Sequence, residues 1–181
     1  MTVPYLDAHC DTITRFKPLR SCESTNIDLL RLGKWSPAGQ VIAIFAPPGK
    51  DTEETFTAVA DAADREFAQN ADLAVKCGSA EEIRAAAGEG KIALILAVEG
   101  ATLLNCSVES LYRAYERGVR IVTLIWNKDN ILCGAGRIPA PGSPPPAWSS
   151  AGPAGKRAWR WIFHTPPTPR STTSSRRRRA R

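Results

Sequence analysis

The sequence predicts an α/β fold with parallel strands, and three observations predict it. Short apolar runs alternate with segments of helical spacing, which is the order of strand–helix–strand units. The connections between them are short. One run, Lys91–Val98, is almost wholly apolar, as a strand covered on both faces by other elements must be.

In chain order, Val3–Ala8 reads as a first strand running into His9-Cys10-Asp11, and Gln40–Phe45 as a second, set between Gly39 and Pro47-Pro48. Asp51–Gln69 has helical spacing: Phe56, Val59, Ala63 and Phe67 share a face, and Asp51, Glu53 and Glu54 favour the first turn. Leu73–Lys76 is a minor strand. Ser79 caps a helix through Ala87, and Glu82, three residues on, completes a capping box. Lys91–Val98 follows as the buried strand. Ser107–Arg117 is a helix with Leu111, Tyr112 and Tyr115 inward, stopped by Gly118, and Val119–Trp126 is the next strand.

Polar residues recur just beyond three of these strands: His9/Asp11, Glu99 and Asn127. In a β/α barrel the loops after the strands build the active face. The expectation is therefore the N-terminal portion of a (β/α)8 TIM-type barrel, with an open doubly wound sheet as the alternative. A complete barrel takes about 250 residues, so the chain supplies roughly half of one.

Charge divides the chain. Residues 1–134 carry 14 Lys/Arg and all 18 Asp/Glu, a net of −4, whereas residues 135–181 carry 10 Lys/Arg, no acid and nine of the 14 prolines. The folded part is thus mildly acidic, and its composition argues against a nucleic-acid partner. Residues 135–181 lack apolar periodicity and are expected to form a disordered Pro/Ser/Arg-rich tail. The five cysteines are dispersed without C-x-x-C pairing, as expected of free thiols in a reducing compartment. Residues 1–7 contain no basic, apolar leader and no run approaches a membrane span. A cytoplasmic protein with no membrane partner is expected.

His9 and Asp11 stand two apart at a strand end, where extended backbone points both side chains to one side. An imidazole nitrogen and a carboxylate oxygen so placed suit a zinc ion, although an H-x-D triplet alone also fits an ordinary polar strand end. Glu99 closes the buried run. A carboxylate there needs a cation or a partner unless water or a helix cap satisfies it. Taken together, His9, Asp11 and Glu99 would meet at one barrel face.

The motifs carrying these residues resemble a known family. Asp7-Ala-His9-Cys-Asp11-Thr is similar to the D-x-H-x-D opening of the renal (membrane) dipeptidases, zinc metallopeptidases of family M19. Leu94-Ile-Leu-Ala-Val-Glu99-Gly100 resembles their strand ending in V-E-G. Residues 115–130, with Gly118-Val-Arg, Thr123-Leu, Asn127 and Asn130, resemble their G-V-R-x-x-T-L-x-x-N-x-x-N segment, and Asp28-Leu-Leu-Arg31-Leu their D-L-x-R-L. The resemblance implies a barrel holding two zinc ions and hydrolysing dipeptides. It implies His9 and Asp11 on the first zinc, Glu99 bridging both, and a homodimer for a full-length parent. That family's remaining ligands lie in later strands. Here no acid follows Asp129 and the only later histidine is His164, so a partial site and an inactive chain are expected, with no catalytic residue beyond the metal ligands.

The acid-free tail has two readings. As a basic arm it would bind nucleic acid or a membrane surface. As a stretch read out of frame it would have no function. In the second reading, the Trp159-Arg-Trp161-Ile-Phe-His codons, shifted by one base, permit a strand ending in D-L-S-H that resembles the family's next motif. The frameshift is the favoured expectation. Another metal-dependent amidohydrolase on the same barrel is the remaining alternative, which the V-E-G and T-L-x-x-N segments disfavour.

Overall fold

The structure, a computed structural model, describes residues 4–15, 17–47, 49–126 and 130–132. The expected tail, 135–181, lies outside them, as do Asn127, Asp129 and His164.

Among the described residues five strands and four α-helices follow one another: β1 (Tyr5–Cys10), α1 (Leu29–Leu32), β2 (Ala38–Ile44), α2 (Glu53–Gln69), β3 (Ala74–Lys76), α3 (Ala80–Gly88), β4 (Ile92–Glu99), a 3-10 helix (Ala101–Leu104), α4 (Val108–Glu116) and β5 (Val119–Thr123). All the strand pairings are parallel. β1 pairs with β2 and β2 with β4. The other edge of β4 is shared: β3 takes Ile92–Leu94 and β5 takes Leu96–Glu99. Leaving aside the short β3, the order β1-β2-β4-β5 advances steadily across the sheet. A doubly wound sheet would reverse direction at a switch point. The steady winding is that of a barrel.

Along the fully buried β2 and β4, successive side chains go to opposite faces, as a period of two requires. Ile42, Ile44, Leu94, Leu96 and Val98 enter the main core with Phe56, Val59, Ala60, Ala63 and Phe67 of α2 and Leu111 and Ala114 of α4. The intervening residues Val41, Ile95 and Ala97 form a second cluster on the opposite face, joined by Ile83 of α3 and by Ile121. Thus α2 and α4 cover one face of the sheet, while α3 covers the N-terminal half of β4 on the other.

The helix starts are chemically specified. Thr52, Ser79 and Ser107 each accept the N–H of the residue three on, which satisfies a donor the helix cannot use itself. The Glu82 carboxylate does reach back, but to the Gly78 N–H rather than to that of Ser79. The capping box is therefore offset by one residue.

Several expectations need correction. β1 runs two residues further than Val3–Ala8, so His9 lies in the strand rather than beyond it. β4 likewise includes Glu99. β5 ends at Thr123, three residues short of Trp126. On α4 the buried residues are Ser110, Leu111 and Ala114, whereas Tyr112 is exposed. The small Ala114 is what the packed interface accommodates, and the ring of Tyr115 instead lies under Arg120, 4.1 Å from its guanidinium carbon. Neither α1 nor the 3-10 helix was legible in the periodicity.

Candidate metal centre

The C-terminal ends of β1, β4 and β5 bring the site together. His9 is the fifth residue of β1, and its N–H donates to Asp7 Oδ1 at 3.1 Å. Cys10 between the two polar residues points the other way, into the main core. Burial pushes its thiol up from the ordinary value, and its direction into the core leaves the donors to its neighbours. Just past the strand, the Thr14 hydroxyl donates to the Ala43 carbonyl at 3.2 Å and accepts the Phe45 N–H at 3.1 Å. This pins the turn carrying Asp11 to the end of β2.

Glu99 ends β4, and Gly100 follows with φ +91 and ψ 108. Side chains rarely adopt that backbone, and a Cβ on Gly100 would also stand 3.3 Å from the Trp126 Cβ. The chain leaves the strand sharply at the carboxylate because glycine permits it.

His9 Nε2 lies 3.0 Å from Asp11 Oδ1 and 3.6 Å from Glu99 Oε2. One ligand atom from each residue can be chosen so that all three lie within 4.8 Å of one another. Two atoms that bind one zinc at about 2.1 Å with a tetrahedral angle stand about 3.4 Å apart. The separations of His9 from Asp11 and from Glu99 bracket that value. Nitrogen and carboxylate oxygen are both zinc donors, so residues and spacing fit a metal ion. Among the described residues this is the one such group of three or more His, Cys, Asp or Glu side chains. The donors are half-buried, with side-chain exposures of 31% for His9, 37% for Asp11 and 17% for Glu99.

On one side of the donors a cleft of about 480 Å³ opens, lined by Asp7, His9, Asp11, Arg15 and Asn26 among others. On the inner face of the sheet a small cavity is lined by His9, Glu99, Ala43, Ala97 and Thr123. The structure thus joins His9, Asp11 and Glu99 as the sequence led one to expect, while Asn127 lies outside the described residues. Reading the sequence missed Asp7, Thr14 and Thr123, which hold the local backbone. Of these, Asp7 and Thr123 stand in the quoted motifs, and that was the one signal available for them.

Comparison with known proteins adds an independent line. A family model described as membrane dipeptidase (peptidase family M19) matches residues 1–158. Among solved structures, dipeptidase AC, a metallo peptidase of the same family, matches with a TM-score of 0.59 and 21% identity over 70% of this chain and 44% of its own. A metallo peptidase from Rhodobacter sphaeroides, solved with a phosphinate mimic of the dipeptide L-Ala-D-Ala, gives 0.59 and 18% over 71% of this chain and 47% of its own. The probable dipeptidase PvdM from Pseudomonas aeruginosa gives 0.57 and 21% over 83% and 42%. At these identities the likeness is one of fold. The chain spans less than half the length of each of these structures.

Proposed function

The chain belongs to the membrane dipeptidase family, peptidase family M19, and on that premise we propose that it is the N-terminal, metal-ligating part of a zinc-dependent dipeptide hydrolase. The observation that carries this reading is the convergence of His9 in β1, Asp11 just past it and Glu99 at the end of β4. His9 and Asp11 would hold one zinc ion, and Glu99, with two carboxylate oxygens, would share itself with a second. Zinc so held supplies a Lewis acid for the scissile carbonyl and lowers the pKa of bound water.

The chain's own residues do the rest of the positioning. Asp7 fixes the His9 backbone, and Thr14 fixes the turn that carries Asp11. The cleft beside the donors carries Asp7 and Arg15 on its walls and offers room for a small zwitterionic substrate. The dipeptide mimic on the Rhodobacter sphaeroides relative supports a dipeptide as that substrate.

Three donors do not complete a two-metal site. Residues 130–181 contain no carboxylate side chain and one imidazole, His164. A polypeptide of residues 1–181 is therefore expected to bind metal without hydrolysing dipeptides. Calorimetric zinc titration and an L-Ala-D-Ala hydrolysis assay on that polypeptide test both halves. Zinc binding that survives His9→Ala and Glu99→Gln would sink the ligand assignment. Zinc-dependent turnover above the rate of Glu99→Gln would sink the expected inactivity.

A further inference from the structure

We propose that Thr123 is a positioning residue of the metal centre, its hydroxyl fixing the Gly100 amide and thereby the backbone from which Glu99 reaches the metal. The proposal rests on the reading that His9, Asp11 and Glu99 are metal ligands.

Thr123 and Glu99 are register partners at the ends of β5 and β4. Partners in a parallel pair present their side chains to the same face of the sheet, and both line the small cavity that also contains His9. The register between the two strands ends at this pair, with one longer backbone bond beyond it, from the Ala101 N–H to the Leu124 carbonyl at 3.4 Å. Beyond it, the Gly100 N–H is buried and meets the Thr123 hydroxyl at 2.8 Å instead of a β5 carbonyl. The same hydroxyl donates to the Ile125 carbonyl at 3.2 Å. A hydroxyl has one proton to give and lone pairs to accept with, so this one is committed to backbone on both sides. It acts on the metal centre through Glu99 rather than as a ligand.

The choice of residue follows from the site. Val119–Thr123 is a strand in which the last position is 7% exposed. Valine has the same shape and would suit the strand equally well. It could not accept the Gly100 N–H. Threonine keeps the β-branch, which restricts χ1, and so holds the hydroxyl over an amide whose backbone, at φ +91, no longer follows the sheet. Losing that bond leaves the buried Gly100 N–H without its acceptor and loosens the turn next to Glu99. Partners bonded directly to a metal ligand are typically worth about 10- to 100-fold in metal affinity, and Thr123, which acts through the neighbouring amide, is placed at the lower end of that range.

The test uses the 181-residue chain and cobalt(II), whose visible absorption reports ligand geometry in a zinc site. Wild type, Thr123→Val, Thr123→Ser and Glu99→Gln are titrated, and each is melted without metal to check folding. Thr123→Val is expected to bind cobalt at least about tenfold more weakly with an altered band, and Thr123→Ser to stay within about threefold of wild type. A Thr123→Val titration and spectrum like wild type's would overturn the proposal, as would a Thr123→Ser as weak as Thr123→Val. Should Thr123→Val fail to fold, Thr123→Ala replaces it in the comparison with Thr123→Ser, with the same two outcomes. If wild type binds no more cobalt than Glu99→Gln, the metal reading itself falls and the proposal with it. That result is distinct from a wild type that binds and a Thr123→Val that binds equally well.

Discussion

His9 Nε2 stands 3.6 Å from Glu99 Oε2 although β2 lies between the strands that carry them. Adjacent strands are about 4.8 Å apart, so roughly 10 Å separates the two backbones. The side chains close that distance by leaning over β2, where Ala43 lines the same cavity at 1% exposure.

Ala43 should therefore be a gate on ligand spacing. Ala43→Leu is expected to hold His9 and Glu99 apart, lowering cobalt affinity by about tenfold and stability by about 1–3 kcal/mol through overpacking. Cobalt titration with a urea melt in parallel checks it. Unchanged affinity in a folded Ala43→Leu would show that the two ligands do not meet over β2.

Asp28 should make stability depend on acid pH. It caps α1 by accepting the Arg31 N–H at 2.8 Å, and its other oxygen takes the Arg31 Nε at 2.8 Å and the Cys22 N–H at 3.3 Å. Burial alone would raise its pKa, but these bonds and the guanidinium charge outweigh it and hold the carboxyl below the usual range. A depressed folded-state pKa means the contribution is present above the ordinary value of about 3.9 and is lost as pH falls through the folded one. Asp28→Asn keeps an oxygen to cap α1 but loses the charge that accepts from Arg31 Nε and the Cys22 N–H, and should cost about 1.5 kcal/mol at pH 7. The gap between Asp28→Asn and wild type in urea midpoint should shrink as pH is lowered from about 4 towards 2. A gap that stays constant over that range would refute it.

Cys22 should be the first of the described thiols to react. Its Sγ lies 3.2 Å from the Ser24 hydroxyl, and that hydrogen bond draws its pKa below the ordinary value, whereas burial raises those of Cys10 and Cys77. Cys106 is buried as well. Limiting N-ethylmaleimide at neutral pH, followed by peptide mass spectrometry, should find Cys22 labelled before these three. Earlier labelling of Cys10 would mean that β1 opens readily.

The parts of this fold that could be read in the sequence are those with a strong local signal. Ile92–Val98 is apolar throughout, and a strand buried on both faces has to be. The stripe Phe56-Val59-Ala63-Phe67 repeats over several helical turns, and all four residues are buried. The three candidate ligands were legible because they sit where apolar runs end. By contrast, α1 spans four residues, about one turn, which is too short for periodicity to mark; its cap at Asp28 is what specifies it. Ala101–Leu104 was hidden because its residues are as apolar as the strand before it, and the glycine between them is what turns the chain. The sharing of one edge of β4 by β3 and β5 depends on pairing between distant segments, which no local pattern encodes. Thr123 looked like any β-branched strand residue, since its hydroxyl acquires a task only when Gly100 is beside it.

One consequence of the strand order is mechanical. β4 is gripped on both edges, while among the described residues β1 is held by β2 alone, and Leu6 on it is 65% exposed. A cation shared by His9, Asp11 and Glu99 would act as a removable clasp between a strand at the edge of the sheet and one gripped on both sides. Because the unfolded chain cannot present all three donors together, the clasp's strength would follow free metal by mass action, reaching about 2.7 kcal/mol at a hundred times the dissociation constant. Withdrawing metal with a chelator would then unfasten β1 first, and amide exchange in Tyr5–Cys10 would quicken before β4 loosens.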